Sequence, residues 1–285
     1  EAQLEILDGA TVTTTELNLL DDKDATHLAV PGKLAGTDFT NSILIGHATT
    51  GTLDAAEKNT GVGIDALNSI TSGDRITAVG YNAGTSITTG NASTFIGQGA
   101  GKTFSTASSN TGVGDSSLFT SNASSNTGIG QNSGYHLTGA ENTAVGASAL
   151  QSSAGAGSGA RNTAIGQAAG TAITSGNNNI FLGQDGGKNI TTGSGNVIIG
   201  ITDATAADSA RTLKITGNDG STSTTWISGD SSGNLTFAAN TTIGGNLIIG
   251  SATVTEAQLE VLDGATITTT ELNLIDGGAT IGTTA

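Results

Sequence analysis

A short glycine-rich stretch offers the first candidate for chemistry in this sequence. The segment NTGVGIDAL, residues 59–67, contains the spacing Gly61-x-Gly63-x-x-Ala66, which resembles the glycine fingerprint of a dinucleotide-binding turn. That fingerprint needs a strand before it, a long helix after it and an acidic residue about 20 positions later. Here turn residues follow Gly63, and the same spacing returns at Gly112-x-Gly114 and Gly128-x-Gly130. A structural repeat explains every copy, so we expect no nucleotide cofactor.

Other residues that could bind phosphate or metal form neither a complete P-loop nor a complete set of metal ligands. GQGAGKT, residues 97–103, looks like a P-loop, but the first glycine of that motif would fall on Ile96. His27, His47 and His136 are far apart and share no ligand spacing. We expect His47 and His136 to be exposed, and we expect no metal.

The acidic residues beside turns are a further candidate for cation binding. Asp185-Gly186, Asp219-Gly220 and Asp230 have no EF-hand spacing, so we interpret them as turns rather than as cation sites at a trimer axis. No Ser/His/Asp set and no carboxylate pair can be assembled from these residues. We therefore expect no catalytic residue and no enzymatic activity.

The composition favours an ordered chain built from small side chains. The 285 residues include 44 Gly, one Pro and no Cys or Met, and only 35% are apolar and 12% charged. A bulky core cannot be built from so few large apolar residues, yet a disordered chain would carry more charge and Pro. The net charge of −15, with only nine Lys and Arg, argues against a nucleic-acid partner. The chain contains no apolar run of about 18 residues, so we expect no membrane insertion.

The centre of the chain is a repeat. A glycine preceded by an aliphatic residue recurs ten times, at spacings of 17, 17, 17, 17, 16, 16, 20, 17 and 17 residues. The glycines are Gly46, Gly63, Gly80, Gly97, Gly114, Gly130, Gly146, Gly166, Gly183 and Gly200. A fixed period of this kind indicates a solenoid whose repeats stack on one another.

The residues before each glycine predict a strand. The residue directly before it is always aliphatic, from Ile45 to Ile199, and the residue three before it is Thr in seven repeats and Ile or Val in three. β-branched residues at a period of two are typical of a strand face that packs on a core, so we expect both columns to point inward. The residue between them is small in six repeats, with Leu44, Phe95, Phe181 and Ile198 as the exceptions. We expect this middle column to face outward and to leave room for a neighbouring chain.

Two more columns complete each repeat. Seven residues after the glycine lie Leu53, Ile70, Ile87, Phe104, Leu137, Ile173 and Ile190, and Ser121 and Ser153 interrupt this column. Asn stands four before the glycine in seven repeats, where stacked copies would form an amide ladder. We therefore expect an all-β, fibrous fold, a parallel β-solenoid of about ten 17-residue turns with two short strands per turn. Because one coil has a thin core, a partner chain would add apolar burial, and we expect a homotrimer.

These repeats resemble those of a known family. NTAVGASAL, residues 142–150, and NTAIGQAAG, residues 162–170, resemble the head repeats of trimeric autotransporter adhesins; similar repeats occur in bacteriophage tail fibres. The resemblance covers about residues 41–200 and implies left-handed parallel β-rolls arranged three to an axis. The period is somewhat longer here, so we expect different corner loops.

Related connector modules flank the repeat, at residues 1–40 and 251–285. Residues 1–21 recur as residues 256–276 with 18 of 21 positions identical. Thr-x-x-Glu or Thr-x-x-Gln, a helix capping box, is followed in each unit by Asp-Gly, which suits a helix C-terminus. We expect short helices and strands, and the tandem TTTELNLLDG units look like those of marine phage fibre and virion-appendage proteins. The chain begins at Glu1 without Met, and we expect it to be a piece of a longer polypeptide.

Residues 201–250 lie between the repeat and the C-terminal module. RTLKITG, STTWISGD, GNLTFAAN and GGNLIIG alternate in polarity and are separated by turn residues, so they predict short strands. We expect a small trimeric β-prism. Trp226 is the only tryptophan, and we expect it to anchor the core, with a ligand platform as the alternative.

These observations favour a structural segment of a bacteriophage fibre in the virion, outside the cell, that serves host attachment or receptor binding. Its partners would be its own copies in a homotrimer, other virion or fibre proteins, and a host cell-surface glycan or protein. The alternatives are a bacterial trimeric surface adhesin and a glycan-depolymerising fibre segment. Tyr81, Phe119 and Tyr135, in the corner loops, are the candidate surface contacts.

Overall fold

The computed structural model describes residues 32–47, 49–152 and 157–242, together with the strands Leu247–Ile249 and Ala252–Val254. The chain divides into two compact units, Glu1–Ala238 and Ala239–Ala285. Every regular element in the described residues is a strand, which confirms the all-β class for this part of the chain. The predicted connector helices lie outside the described residues.

The strands of the first unit form one sheet that follows the chain. They are β1 (Gly32–Gly36), β2 (Phe39–Ile45), β3 (Ala56–Glu57), β4 (Thr60–Val62), β5 (Thr77–Val79), β6 (Thr94–Ile96), β7 (Thr111–Val113), β8 (Thr127–Ile129), β9 (Thr143–Val145), β10 (Thr163–Ile165), β11 (Ile180–Leu182), β12 (Val197–Ile199), β13 (Leu213–Asn218), β14 (Ser223–Gly229) and β15 (Leu235–Phe237). In the second unit, β16 (Leu247–Ile249) and β17 (Ala252–Val254) pair antiparallel.

The repeat forms a parallel β-solenoid, as predicted. The ten strands β2 and β4–β12 pair in parallel, and each is aligned with the strand of the next turn, as in Thr60 with Thr77 and Val62 with Val79. At about 4.8 Å per strand, ten turns span roughly 45 Å. The antiparallel strand β1 pairs with β2 and so covers the N-terminal edge of this stack.

The facing of these strands is the reverse of the prediction. The middle residue of the strand is buried in all ten turns, namely Leu44, Gly61, Ala78, Phe95, Gly112, Gly128, Ala144, Ala164, Phe181 and Ile198. The aliphatic residue before the glycine is half-buried or exposed, as in Val62, Ile96 and Ile165. The prediction that the β-branched columns point inward and the small column outward was therefore wrong.

The thin core explains why small residues occupy the inward column. Nine turns have a second buried position four residues after the glycine. In six of them one of the two positions is large and the other is Gly or Ala, whereas in the remaining three both are small. Where the strand contributes Phe95, the second position is Gly101, whose Cβ would overlap the Phe95 ring. Where the strand contributes Gly112 or Ala144, the second position is Leu118 or Leu150, and both leucines are fully buried. A second large side chain has no room in these turns.

The column seven residues after the glycine lies inside the coil, as predicted. Its members from Ile70 to Ile190 in the described turns, including the interrupting Ser121, are at most 2% exposed. The second strand that was expected there does not form, because two left-handed residues, such as Asp65 and Leu67 with φ of 60° and 57°, bend each of the eight turns from Gly63 to Gly183. Hydrogen bonds between the backbones of neighbouring turns still pair the polar groups on this side of the coil, as in the 3.1 Å bond from Leu67 N–H to Ala83 O.

The predicted amide ladder is present. Oδ1 of Asn142 accepts hydrogen bonds from both the backbone N–H and the side-chain Nδ2 of Asn162, at 2.9 and 3.1 Å. The same pair of bonds links Asn162 to Asn179 and Asn179 to Asn196. Each of these asparagines is at most 1% exposed, so the ladder satisfies polar groups that burial would otherwise leave costly.

The sheet continues beyond the repeat. β13 pairs in parallel with β12, and β14 and β15 follow as an antiparallel meander. The strands predicted in residues 201–250 are confirmed, whereas the trimeric prism stays a prediction. Trp226 is 56% exposed in the single chain, so it anchors no core within one chain, and its predicted place in the core of a trimer stays a prediction.

Candidate functional site

The glycine-rich segments that resemble phosphate-binding loops have their backbone donors engaged. Gly63 N–H donates to Ile45 O at 2.7 Å, and Gly97 N–H and Gly101 N–H donate to Val79 O at 2.8 Å and Ser117 O at 3.0 Å. A phosphate cradle needs such N–H groups free and converging at a helix N-terminus. Here they bond to neighbouring turns, so these glycines stabilise the solenoid.

The glycine that ends each strand is required by the stacking of turns. Gly130 has a φ of +124°, and a Cβ there would lie 2.7 Å from the carbonyl carbon of Gly146 in the next turn. Residues with a side chain rarely adopt this backbone conformation, and the distance between the two turns leaves no room for a Cβ, so only glycine fits here. This column of glycines is therefore a consequence of the close packing of successive turns along the solenoid.

The two described histidines have structural contacts. His47 is only 9% exposed, and its Nε2 lies 2.7 Å from Ala66 O; the prediction that it is exposed was wrong because the corner after Gly46 places it against the next turn. His136 is half-buried, and its Nδ1 lies 2.8 Å from the Thr120 hydroxyl. Among the described residues, no cluster of three or more His, Cys, Asp or Glu could hold a metal ion. In the same part of the chain, no helix has the length and apolarity to cross a membrane.

The structure places the three candidate contact residues in different settings. Tyr81 is 52% exposed. Phe119 and Tyr135 are half-buried and stack on each other, with ring centroids 4.8 Å apart and planes 6° apart. Lys102 Nζ lies 5.2 Å from the centroid of Phe119, and the His136 ring meets Tyr135 edge-on at 4.5 Å. No ring contact among the described residues joins Tyr81 to this cluster.

Stacking reduces the value of Phe119 and Tyr135 as binding residues. The rings occupy the same position in consecutive turns, five residues after Gly114 and Gly130, so the solenoid repeat brings them face to face. Their facing surfaces cover each other, and the Lys102 ammonium group lies over the Phe119 ring. Most of this aromatic surface stabilises the corner, and Tyr81 is the more exposed of the three candidates.

The outer face of the sheet is a surface of the first unit that core packing does not explain. It carries two columns of side chains, which we call the outer columns. The first is Ile43, Thr60, Thr77, Thr94, Thr111, Thr127, Thr143, Thr163, Ile180, Val197, Leu213, Gly229 and Leu235; the second is Ile45, Val62, Val79, Ile96, Val113, Ile129, Val145, Ile165, Leu182, Ile199, Ile215, Ile227 and Phe237. No charged residue occurs in either column.

The outer columns are exposed to solvent in the single chain. Ile96, Ile129 and Ile165 are 40%, 42% and 45% exposed, and the valines of the same column are half-buried. Exposed aliphatic residues are ordinary when single, but a contiguous strip of them marks an interaction surface. The sequence contained a signal for this face: Phe95 and Phe181 stand in the middle column, and such large rings favour the inside of the coil.

Two carboxylates with lowered pKa values lie in the turns at the C-terminal end of the sheet; a third, Glu57, has its pKa lowered by the hydrogen bond and charge of Lys58. Backbone N–H groups of Thr222 and Ser221 donate to Asp219 and lower its pKa below 3.8. The side-chain amide and the backbone N–H of Asn234 lower the pKa of Asp230 in the same way. Both carboxylates therefore close hairpin turns, which agrees with their interpretation as turn residues.

Comparisons with known proteins found no match. No family model, no curated protein and no solved structure matches the chain. The likeness to adhesin head repeats and phage fibres therefore rests on the repeat residues quoted above, and the outer columns are the structural feature that a function must explain.

Proposed function

We propose that this chain is a non-catalytic structural segment of a homotrimeric fibre, in which the outer columns of three copies face a common axis. The observation that carries this proposal is the uncharged strip of threonine and aliphatic residues on a chain of net charge −15. Identical acidic chains repel one another, so a face on which they meet needs to be free of charge. The outer columns meet that requirement over 13 strands.

The periodicity of the outer columns favours copies of the same chain as the partner. Each turn presents one Thr or aliphatic residue and one aliphatic residue at a spacing of about 4.8 Å along the sheet. A second copy repeats at the same spacing and can match every level, whereas the surface of an unrelated globular protein has no such repeat.

The strip offers one continuous area for contact between copies of the chain. Thirteen strands of about three residues give a face of roughly 60 by 10 Å, or about 600 Å² per chain. Three chains then bury roughly 1,800 Å² in total, or about 600 Å² at each of the three pairwise contacts, which is less than a standard two-chain interface, so the assembly depends on all three contacts together. The homotrimer is favoured over a dimer because the resembling families assemble three to an axis.

The resemblance to phage fibres supports a place for this homotrimer on a virion, outside the cell, where it serves host attachment or receptor binding. Its other partners are then further virion or fibre proteins and a host cell-surface glycan or protein. The same repeats support a bacterial trimeric surface adhesin as the second candidate. Release of sugars from a host glycan by the purified chain would contradict the non-catalytic part of the proposal.

A pair of matched variants tests the assembly. Ile129, on the strip, and Ile64, at a corner outside it, are 42% and 60% exposed in the single chain. Ile129→Lys places a charge in the proposed interface, where unpaired burial is costly, and Ile64→Lys leaves that interface unchanged. Light scattering after gel filtration should show trimers for the wild type and for Ile64→Lys but dissociation for Ile129→Lys. Equal masses for both variants would contradict the proposed interface.

A further inference from the structure

The C-terminal end of the outer face differs from the repeating part. Leu235 and Phe237 belong to the outer columns through their pairing with Gly229 and Ile227. Leu235 is 58% exposed, Phe237 is 48% exposed, and nearby Trp226 is 56% exposed. Large exposed side chains are therefore concentrated on the last two strands of the sheet.

A β-bulge directs Trp226 to the same face. Ile215 pairs with Ile227 and Thr216 with Thr225, which leaves Trp226 as the extra residue of β14. Its indole occupies the space into which a Cβ of Gly217 would project. Because Gly217 follows Ile215 by two residues, both lie on one face of the strand, and the indole covers the face that carries the outer columns. Bulges commonly re-aim a side chain in this way.

The repeating part of the strip cannot define the axial alignment of the chains. From Thr60 to Ile165 each level offers Thr followed by Val or Ile, so a shift by one turn replaces every contact by a nearly identical one. Strand pairings without distinguishing side chains are prone to such slippage. The alignment must therefore depend on a part of the strip that does not repeat.

We propose that Trp226, together with Leu235 and Phe237, sets the axial alignment of the homotrimer by packing against the same three residues of the other two copies. This inference rests on the proposed homotrimer. The sole indole of the chain meets its counterparts only when the chains are at equal height, and a shift by one turn separates them by about 5 Å. Aromatic anchors of this kind carry a large share of the binding energy in protein interfaces.

Because Trp226 is the only tryptophan, fluorescence of the unmodified chain reports directly on it. In the trimer we expect blue-shifted emission and at least fivefold protection from quenching by acrylamide relative to a free indole. A trimer whose tryptophan is fully accessible to acrylamide would overturn the inference and leave the proposed function standing. A chain that stays monomeric with an accessible tryptophan would overturn both.

A cross-linking experiment measures the alignment itself. The chain has no Cys, so Thr143→Cys on the outer columns introduces a single thiol that forms an interchain disulfide only when the chains are at equal height. Adding Trp226→Ala should reduce the cross-linked fraction at least threefold, with or without loss of the trimer, and Trp226→Phe should restore most of it. Tyr81→Ala removes an aromatic residue of similar exposure outside the strip and serves as the control. An unchanged cross-linked fraction in the Trp226→Ala chain would overturn the inference.

Discussion

Exchange of a large and a small residue between the two inward positions of one turn tests the thin core. Phe95 and Gly101 compensate each other within their turn, whereas Ala144 and Leu150 do so with the sizes reversed. The double variant Phe95→Ala/Gly101→Leu converts the first arrangement into the second. Leu150 has a φ of 45°, so this position accepts leucine in its left-handed conformation.

The expected energies follow from the contacts. Phe95 is fully buried, and its truncation to Ala should cost about 3–5 kcal/mol. Gly101→Leu alone forces a side chain into the Phe95 ring at a φ of +61°, which should cost about 2–5 kcal/mol from overpacking and backbone strain. In the double variant the leucine occupies space that the ring has vacated, so we expect a loss of about 2–4 kcal/mol and a favourable coupling of at least about 2 kcal/mol.

Denaturant unfolding followed by circular dichroism measures these differences for the wild type, the two single variants and the double variant. The double variant should be more stable than either single variant or equal to the better one. Strictly additive losses would refute the size compensation, because they would mean that the two positions do not share one space. Midpoint temperatures should follow the same order, at about 2–4 °C per kcal/mol.

Three further predictions concern the ladder, the glycine column and the turns. Asn162→Ala removes a buried acceptor and leaves the N–H of the next asparagine unpaired, so the free energy of unfolding should fall by about 2–4 kcal/mol. Replacement of the exposed Ser175 by Ala should change it by less than about 0.5 kcal/mol. Equal effects of the two variants in denaturant unfolding would contradict the ladder. Gly130→Ala should destabilise the chain by several times more than Gly233→Ala, since both have positive φ but only the first meets backbone of the next turn; thermal unfolding of the two variants decides. Backbone donors lower the pKa of Asp219 below 3.8, so the ionised carboxylate stabilises the folded chain above that pH, and this stabilisation is lost as the pH falls further. The amide resonances of its turn should therefore shift below about pH 4, and Asp219→Asn should abolish that shift.

The repeat itself could be read from the sequence, because its causes are local. Each glycine that ends a strand has a positive φ and no space for a Cβ, so the column tolerates no substitution and is visible as a period. The buried asparagines repeat for a similar reason, since each bonds to its equivalent in the next turn. Glycine and asparagine columns therefore predicted the stack and its amide ladder.

The facing of the strands could not be read from the β-branched residues alone. A period of two separates the two faces of a strand but does not say which one is inside. Val62 and Thr60 suit an interchain face as well as a core, and Gly61 is small because Leu44 and Leu67 fill the space around it. The informative residue was Phe95, which stands in the same column as Gly61.

The direction of Trp226 depended on a feature that the sequence does not display, whereas the aromatic corner could have been found from the repeat. One extra residue in β14 changes the direction of Trp226, and a bulge leaves no mark in the pattern of polar and apolar residues. The stacking of Phe119 on Tyr135 follows from their equal positions in consecutive turns, which the repeat alignment does contain. Tyr81 remains a predicted contact residue, because exposure alone does not identify a ligand.

The molar mass of the purified chain in solution tests the central claim most directly. Sedimentation equilibrium over a range of concentrations should give three times 27.8 kDa, about 83 kDa, because in the proposed homotrimer two further copies cover the outer columns that are exposed in the single chain. A folded species of 27.8 kDa at all concentrations would contradict the account, since the uncharged strip would then be stable in water without a partner.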